Sequence, residues 1–354
     1  MNKVLYVSNI EVPYRSEFFN QLSEKVDLTV LYERKKSSNR DESWSKSTKS
    51  KYKIKYLNGV KIKNEYSIDL QIIKHVFSKK YDTVIIGCYN SPSQILAILC
   101  MRLLKKKYIL NIDGEYFLEG SSIKQRIKRF LIKGADKYLI AGEQSANNLS
   151  KIVSINKIYV YYFSSLTKKE LELNAIHENK NRNNTVIVIG QYFDYKGLDT
   201  ALQVAKLDQN IKYKFIGSGK RSPLLIAKTK EMKLNNVEVI SFLPKEELYK
   251  QYQNCLCMLL PTKQECWGLV VNEAASFGCP IVSTYGSGAA VEFLQDKYGT
   301  FLSECDDIED IYKNIKKILN VSKLRNYKKY LINSSKKYSI EIMVEKTLDC
   351  IKSI

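Results

Sequence analysis

Two glutamates, Glu265 and Glu273, are separated by seven residues in the stretch Pro261–Thr284, PTKQECWGLVVNEAASFGCPIVST. Gly268 lies between them and opens a helix-patterned segment, so the carboxylates flank a helix N-terminus. Such an end collects anions, because its first N–H groups are unpaired and the helix dipole favours negative charge. A plainer reading of the same residues has Glu265 complementing the dipole, Glu273 solvated and the glycines making turns. A second constellation is Val186–Gly197, VIVIGQYFDYKG, where a strand ends at Gly190 and Lys196 precedes a helix. A lysine beside a helix N-terminus makes a diphosphate clamp, the point charge and the backbone donors acting together. In isolation it also reads as a solvated lysine. The third is Phe215–Lys220, FIGSGK, a strand and a Gly-x-Gly turn at Gly217. It lacks the third glycine and distal acid of a dinucleotide fingerprint.

The elements that must hold these loops alternate strand and helix along the chain, the pattern of a parallel α/β architecture. Strands are expected at 3–7, 27–31, 83–86, 108–112 and 137–141, with helices at 16–25, 68–79, 93–105 and 121–133. A polar stretch over 33–53 reads as a loop. The segment 167–184, TKKELELNAIHENKNRNN, is the most polar and is expected to be a linker. The rhythm then restarts, with strands at 185–189, 213–216, 237–240 and 255–260 and intervening helices. Helices at 308–319, 322–334 and 340–354 close the chain. Doubly wound domains bind ligands at the C-terminal ends of their strands.

Length and composition set the bounds. At 354 residues two domains are the natural expectation. No apolar run approaches the roughly 20 residues that span a bilayer. Met1-Asn2-Lys3 leads straight into a strand without a signal-type apolar region, so the expected place is the cytoplasm. Eight cysteines without a CxxC pair read as reduced core residues, and the two histidines, His75 and His177, have no metal-ligand spacing. The acids Asp306, Asp307, Glu309 and Asp310 read as helix-start chemistry, and no metal is expected. The net charge is +20, and +14 of it falls in residues 1–165. A basic surface of this kind suits nucleic acid, anionic lipid or a phosphorylated substrate.

The pattern P-T-x-x-E-x-x-G-L-x-x-x-E-A-x-x-x-G-x-P-I-V resembles the signature of family 4 retaining glycosyltransferases of the GT-B fold. The resemblance extends over nearly the whole chain and is most specific across 185–292. It implies two Rossmann-like domains facing across a cleft, with a C-terminal helix crossing back to the N-terminal domain. The implied divisions are an acceptor-binding domain 1–166, a linker 167–184, a nucleotide-sugar-binding domain 185–335 and the returning helix 336–354. Glu265 would lie against the donor sugar, and Glu273 would hold the nucleotide ribose, an acceptor-only carboxylate meeting two hydroxyl donors. Backbone amides around Trp267, Gly268, Leu269 and Val270 would meet sugar and diphosphate, with Trp267 read either as a sugar contact or as a packing residue. Lys196 matches the family's phosphate-binding lysine, near Gly190. Gln191 stands where arginine is frequent, a departure that leaves Lys196 as the main cation. Gly217 and Lys220 lie near the donor, and Leu243 falls in the family's base-recognition loop.

In the N-terminal half, Asn9–Arg15 resembles the family's donor-diphosphate and acceptor loop without its paired glycines, which makes Arg15 a candidate. Asp113 ends a strand. It reads either as an Asx-turn residue or as the group that orients or deprotonates the acceptor hydroxyl, with Glu115 as its substitute. The segment Ile123–Lys137, with Arg102 and Lys105–Lys107, interleaves basic and apolar residues. It is either a solvated helix face or a dock on an anionic membrane, which would place the protein on the inner face of the cell membrane.

The implied reaction is retaining, metal- and cofactor-independent transfer of a sugar from a nucleotide-sugar, a UDP-sugar, to a glycan or lipid-linked saccharide in surface polysaccharide synthesis. A nucleotide-sugar epimerase of the same fold and a non-catalytic partner of another glycosyltransferase are the alternatives. No nucleic-acid-binding motif stands out.

Overall fold

A computed structural model describes residues 1–35, 49–63, 66–114, 122–176, 182–319 and 321–354. Contacts divide them into two compact units, Met1–Ser165 with Ile340–Ile354, and Leu166–Ser339.

The first unit begins β1 (Lys3–Ile10), α1 (Pro13–Ser23), β2 (Asp27–Arg34) and β3 (Lys53–Tyr56). A short antiparallel hairpin, β4 (Val60–Lys63) and β5 (Tyr66–Ile68), and α2 (Gln71–Val76) follow. Then come β6 (Thr83–Ile86), α3 (Pro92–Leu103), β7 (Ile109–Ile112) and α4 (Ile123–Ile132). The unit continues through β8 (Lys137–Ile140), α5 (Glu143–Ser150) and β9 (Ile158–Val160). Its seven-stranded sheet runs β3-β2-β1-β6-β7-β8-β9, parallel throughout. Strands covered on both faces by helices read as unbroken apolar runs, and Val84, Ile85 and Ile86 of β6 are all buried. Helix starts follow side-chain chemistry: Ser91 caps α3 ahead of Pro92, and Ser122 and Gln125 form a capping box on α4.

The second unit contains α6 (Lys168–Ile176), β10 (Thr185–Ile189), α7 (Leu198–Leu207), β11 (Lys212–Ile216) and α8 (Ser222–Glu231). It continues with β12 (Val237–Ile240), α9 (Lys245–Asn254), β13 (Cys257–Leu260) and α10 (Leu269–Ser276). The final stretch has β14 (Ile281–Thr284), α11 (Gly288–Tyr298), β15 (Leu302–Ser303), α12 (Ile308–Ile318) and α13 (Val321–Ser335). The sheet order β12-β11-β10-β13-β14-β15 reverses direction between β10 and β13. In doubly wound sheets such a reversal marks the ligand end, at the C-terminal edge of the strands.

The linker expectation holds only in part, and the last helix returns to the first unit as expected. The stretch 167–184 is not all linker: Thr167 and Glu170 form a capping box that starts α6, the Glu170 side chain accepting from the Thr167 amide at 2.8 Å. Buried Leu171 and Asn174 hold α6 to the second unit, where Asn174 Nδ2 donates to Ser276 Oγ of α10 at 2.9 Å. The last helix, α14 (Ile340–Lys352), groups with the first unit, packing Met343, Val344 and Ile351 there beside α1. Among the described residues no helix is long and apolar enough to cross a membrane.

Candidate active site

In the second unit, the junction of the loops after β10 and β13 is built by glycine geometry. Gly197 has φ +67, and a Cβ there would lie 1.8 Å from the Pro261 carbonyl oxygen. Only glycine permits that approach. The Tyr195 carbonyl then accepts from Thr262 Oγ1 at 2.9 Å and from the Lys263 amide at 2.8 Å. The loop after β10 is thus stitched to the loop after β13, and Lys196 Nζ donates to Glu265 Oε2 across the seam. Both side chains are largely enclosed.

Glu265 is fixed through its backbone. Its amide donates to the Gly286 carbonyl at 2.8 Å, and its carbonyl accepts from Gly288 at 3.2 Å. Gly268, at φ +101, turns the chain into α10 and supplies no side-chain cap. The first amides of α10, on Leu269 and Val270, are therefore left for a ligand at the helix start. The structure corrects the sugar-contact reading of Trp267. Its ring is 2% exposed, its Nε1–H donates to Asn272 Oδ1 at 3.0 Å, and it packs on Tyr338. Its backbone stays beside Gly268. Glu273, in the second turn of α10, accepts from the Tyr252 hydroxyl at 3.0 Å. Burial, with Glu273 adding to it, holds that phenol well above its ordinary pKa, so Tyr252 stays a donor.

The Gly-x-Gly turn joins the same edge. Gly217 and Gly219 donate backbone hydrogen bonds to the Ile240 and Ser241 carbonyls, both at 3.0 Å. Gly219 faces Gln191 and Gly190 faces Lys196. Lys220 is exposed, with no hydrogen-bond or ionic partner among the described residues. Its neighbour Arg221, absent from the sequence reading, donates to the Tyr192 carbonyl at 3.2 Å and lies 4.2 Å over the Phe193 ring. Leu243 is half-buried just beyond β12, beside exposed Phe242.

In the first unit, Arg15 and Asp113 are partners. The buried Arg15 guanidinium donates to Asp113 Oδ1, to Tyr6 at 3.2 Å, to Asn111 Oδ1 at 3.4 Å and to Tyr161 at 3.4 Å. It also lies over Phe163. Burial disfavours its charge most strongly, but Asp113, Tyr161 and Tyr6 together outweigh that and hold its pKa well above the ordinary value. Asp113 Oδ1 also accepts from Tyr161 at 2.6 Å and Asn111 at 3.2 Å, while Oδ2 takes no hydrogen bond among the described residues. Glu115 lies outside the described residues, as does His177.

Sequence reasoning missed a cluster at the first unit's own strand-order reversal, between β1 and β6. Glu33 is 4% exposed and accepts from Ser91 Oγ at 2.5 Å. Gln94 Nε2 donates to Asn9 Oδ1 at 2.6 Å. Burial pushes the Glu33 carboxyl up, opposed by its bonds to Ser91 and Gln94. Asn9 and Glu33 sit near the C-terminal ends of β1 and β2, and Ser91 and Gln94 at the start of α3; polar residues at those positions were the available signal.

Asp306 pairs with Lys263 at 2.6 Å, and Asp307 caps α12 through the Asp310 amide at 3.0 Å. Among the described residues no three His, Cys, Asp or Glu side chains group as metal ligands. A groove of about 830 Å³ lies at the opposite end of the second sheet, lined by Thr185, Lys212 and Val237, the first residues of three strands. Ligands of doubly wound sheets bind at the other end, where Lys196 and Glu265 sit.

Residues 169–337 match the family described as "Glycosyl transferases group 1". An uncharacterized glycosyltransferase of Haemophilus influenzae is 26% identical over 304 residues, 80% of each chain. Among solved structures, Anabaena HepE in complex with UDP-glucose superposes with a TM-score of 0.74 at 13% identity, covering 100% of both chains. Sucrose-phosphate synthase from Thermosynechococcus elongatus gives 0.72 at 14% identity, covering 100% of this chain and 99% of that one. Both structural matches place the two units in the GT-B fold class.

Proposed function

We propose that this chain, a glycosyltransferase whose residues 169–337 form a group 1 domain, moves a sugar from a UDP-sugar with retention at the anomeric carbon. The acceptor is a glycan or lipid-linked saccharide in surface polysaccharide synthesis. The Lys196–Glu265 pair at the head of α10 carries this reading. Before the donor arrives, each charge neutralises the other. Donor binding replaces the pair: Lys196 and the Leu269 and Val270 amides take the diphosphate, and Glu265 turns to the sugar. Gly190, Gln191, Gly217 and Lys220 border the diphosphate, Leu243 borders the base, and Glu273, oriented by Tyr252, receives the ribose hydroxyls. That HepE was solved with UDP and with UDP-glucose supports the choice of nucleotide.

In the reaction, the bond from anomeric carbon to phosphate oxygen breaks while the acceptor oxygen bonds to that carbon on the same face. The acceptor's proton passes to the leaving phosphate oxygen, and UDP departs. Lys196 and the helix amides stabilise the charge that grows on the diphosphate, which acts mainly in the transition state and calls for no metal. Asp113, with Oδ1 held by Arg15, Tyr161 and Asn111, offers Oδ2 to orient an acceptor hydroxyl.

Thermal-shift measurement over a panel of nucleoside diphosphates and their sugars tests the donor assignment. UDP and at least one UDP-sugar raise Tm in the native chain, and Lys196→Ala abolishes the shift. Stabilisation by none of the panel, or equal stabilisation of the Lys196→Ala variant, contradicts it.

A further inference from the structure

Two thiols bracket the stretch of the second unit that carries Glu265 and Glu273. Cys255 ends α9 and leads into β13, and Cys279 leaves α10 on the way to β14. The Met258 amide donates to the Pro280 carbonyl at 2.8 Å, which sets these two approaches side by side. One guanidinium holds both. Arg182 donates to the Tyr252 and Cys255 carbonyls at 2.8 and 3.1 Å, and to the Phe277 and Gly278 carbonyls at 3.3 and 3.2 Å. With the chain so fixed, the Cys255 and Cys279 sulfurs stand 3.3 Å apart. Neighbouring strands lie about 4.8 Å apart, inside the roughly 4.4–6.8 Å that a disulfide spans between Cα atoms, so bridging needs little backbone movement.

We propose that Cys255 and Cys279 are a redox pair, oxidised by a peroxide to a disulfide that locks the end of α10 to the start of β13. The Cys279 thiolate attacks a peroxide oxygen, the O–O bond breaks, and hydroxide leaves to take up the thiol's proton as water. The Cys255 sulfur then attacks the sulfenic sulfur of Cys279. The S–S bond forms, the S–O bond breaks, and the hydroxyl leaves with the Cys255 proton as a second water. Burial disfavours the Cys279 thiolate, but the bond to Cys255 and the Arg182 charge outweigh that and hold its pKa below the ordinary thiol value. Burial keeps Cys255 well above that value, so it is the resolving thiol. Both side chains are buried, which admits a small peroxide on local opening and keeps bulky oxidants out. The two cysteines are 24 residues apart in the chain, and the loop they close contains Glu265, α10 and Glu273. One covalent event thus stiffens the support of both carboxylates. The lock follows from the thiols and their clamp, independently of the transferase reading.

Oxidation of the full folded chain with hydrogen peroxide, followed by peptide mass spectrometry without reductant, tests the proposal. The native chain yields peptides joined through Cys255 and Cys279, and dithiothreitol separates them. Tm of the oxidised chain rises by about 5 °C or more, as closing a loop of this length does, and reductant reverses the rise. Cys279→Ala loses the joined peptides and the rise, whereas Cys350→Ala, in the last helix, keeps both. Absence of the joined peptides from the oxidised native chain, their formation only after denaturation, or joining without a rise in Tm overturns the proposal. The native chain alone gives each of those results, whether or not a variant folds.

Discussion

Lys196 Nζ donates to Glu265 Oε2, joining two loops 69 residues apart in the chain at the point where strand order reverses. The pair is held there by backbone: Gly197 against Pro261, Tyr195 against Thr262 and Lys263, and Glu265 against Gly286. A cation and a carboxylate placed by main-chain contacts lose little order when a ligand separates them, which is what a preorganised site requires.

Gly197→Ala tests that scaffold. The new methyl meets the Pro261 carbonyl, and φ +67 is strained for alanine. Urea denaturation shows a loss of about 2–3 kcal/mol, and UDP affinity falls with it because Lys196 is displaced. A variant with native stability and affinity removes this close contact from the account.

Trp267→Phe separates packing from sugar contact. The buried ring loses its bond to Asn272 and part of its volume, which costs about 1–3 kcal/mol by chemical denaturation. Steady-state kinetics give a kcat/KM for the donor within about threefold of native. A large fall in kcat/KM without loss of stability returns Trp267 to the donor.

Asp113→Ala leaves the buried Arg15 guanidinium without its carboxylate. The expected loss is about 2–3 kcal/mol, below the cost for a fully buried pair because Asp113 is about a third exposed. Equilibrium unfolding measures it. Unchanged stability shows that Arg15 does not depend on Asp113.

Glu33 supplies a pH dependence. Its folded pKa is raised by burial, so the folded chain binds more protons than the unfolded one above the ordinary carboxylate value of 4.5. Glu33 therefore costs stability progressively as pH rises from that value through its raised folded pKa. Glu33→Gln keeps an acceptor for Ser91 and raises Tm above neutral pH, the gain fading as pH falls below the ordinary value. A gain independent of pH, or one larger in acid, contradicts this assignment.

What could be read from the chain was what short spacing encodes. The β10 loop, the Glu265–Glu273 pair and the alternation of strand and helix each lie within a few turns of sequence, and the structure shows them as such. The Arg15–Asp113 pairing spans 98 residues and depends on which strands become neighbours, so each residue alone looked like a ligand contact. Trp267 read equally as a sugar contact or as a packing residue, and its neighbours Asn272 and Tyr338, which the fold brings around it, bury the ring. Helix α6 was lost to overall polarity although its Thr167–Glu170 box was in plain view.

The site assignment meets its most direct test in the rate of UDP release from the UDP-sugar that stabilises the chain, with Lys196→Ala and Glu265→Gln as variants. Both fold normally by circular dichroism, and each lowers kcat by about 100-fold or more, as removal of a charge-stabilising group does. Folded variants that release UDP at the native rate would place the chemistry elsewhere in the molecule.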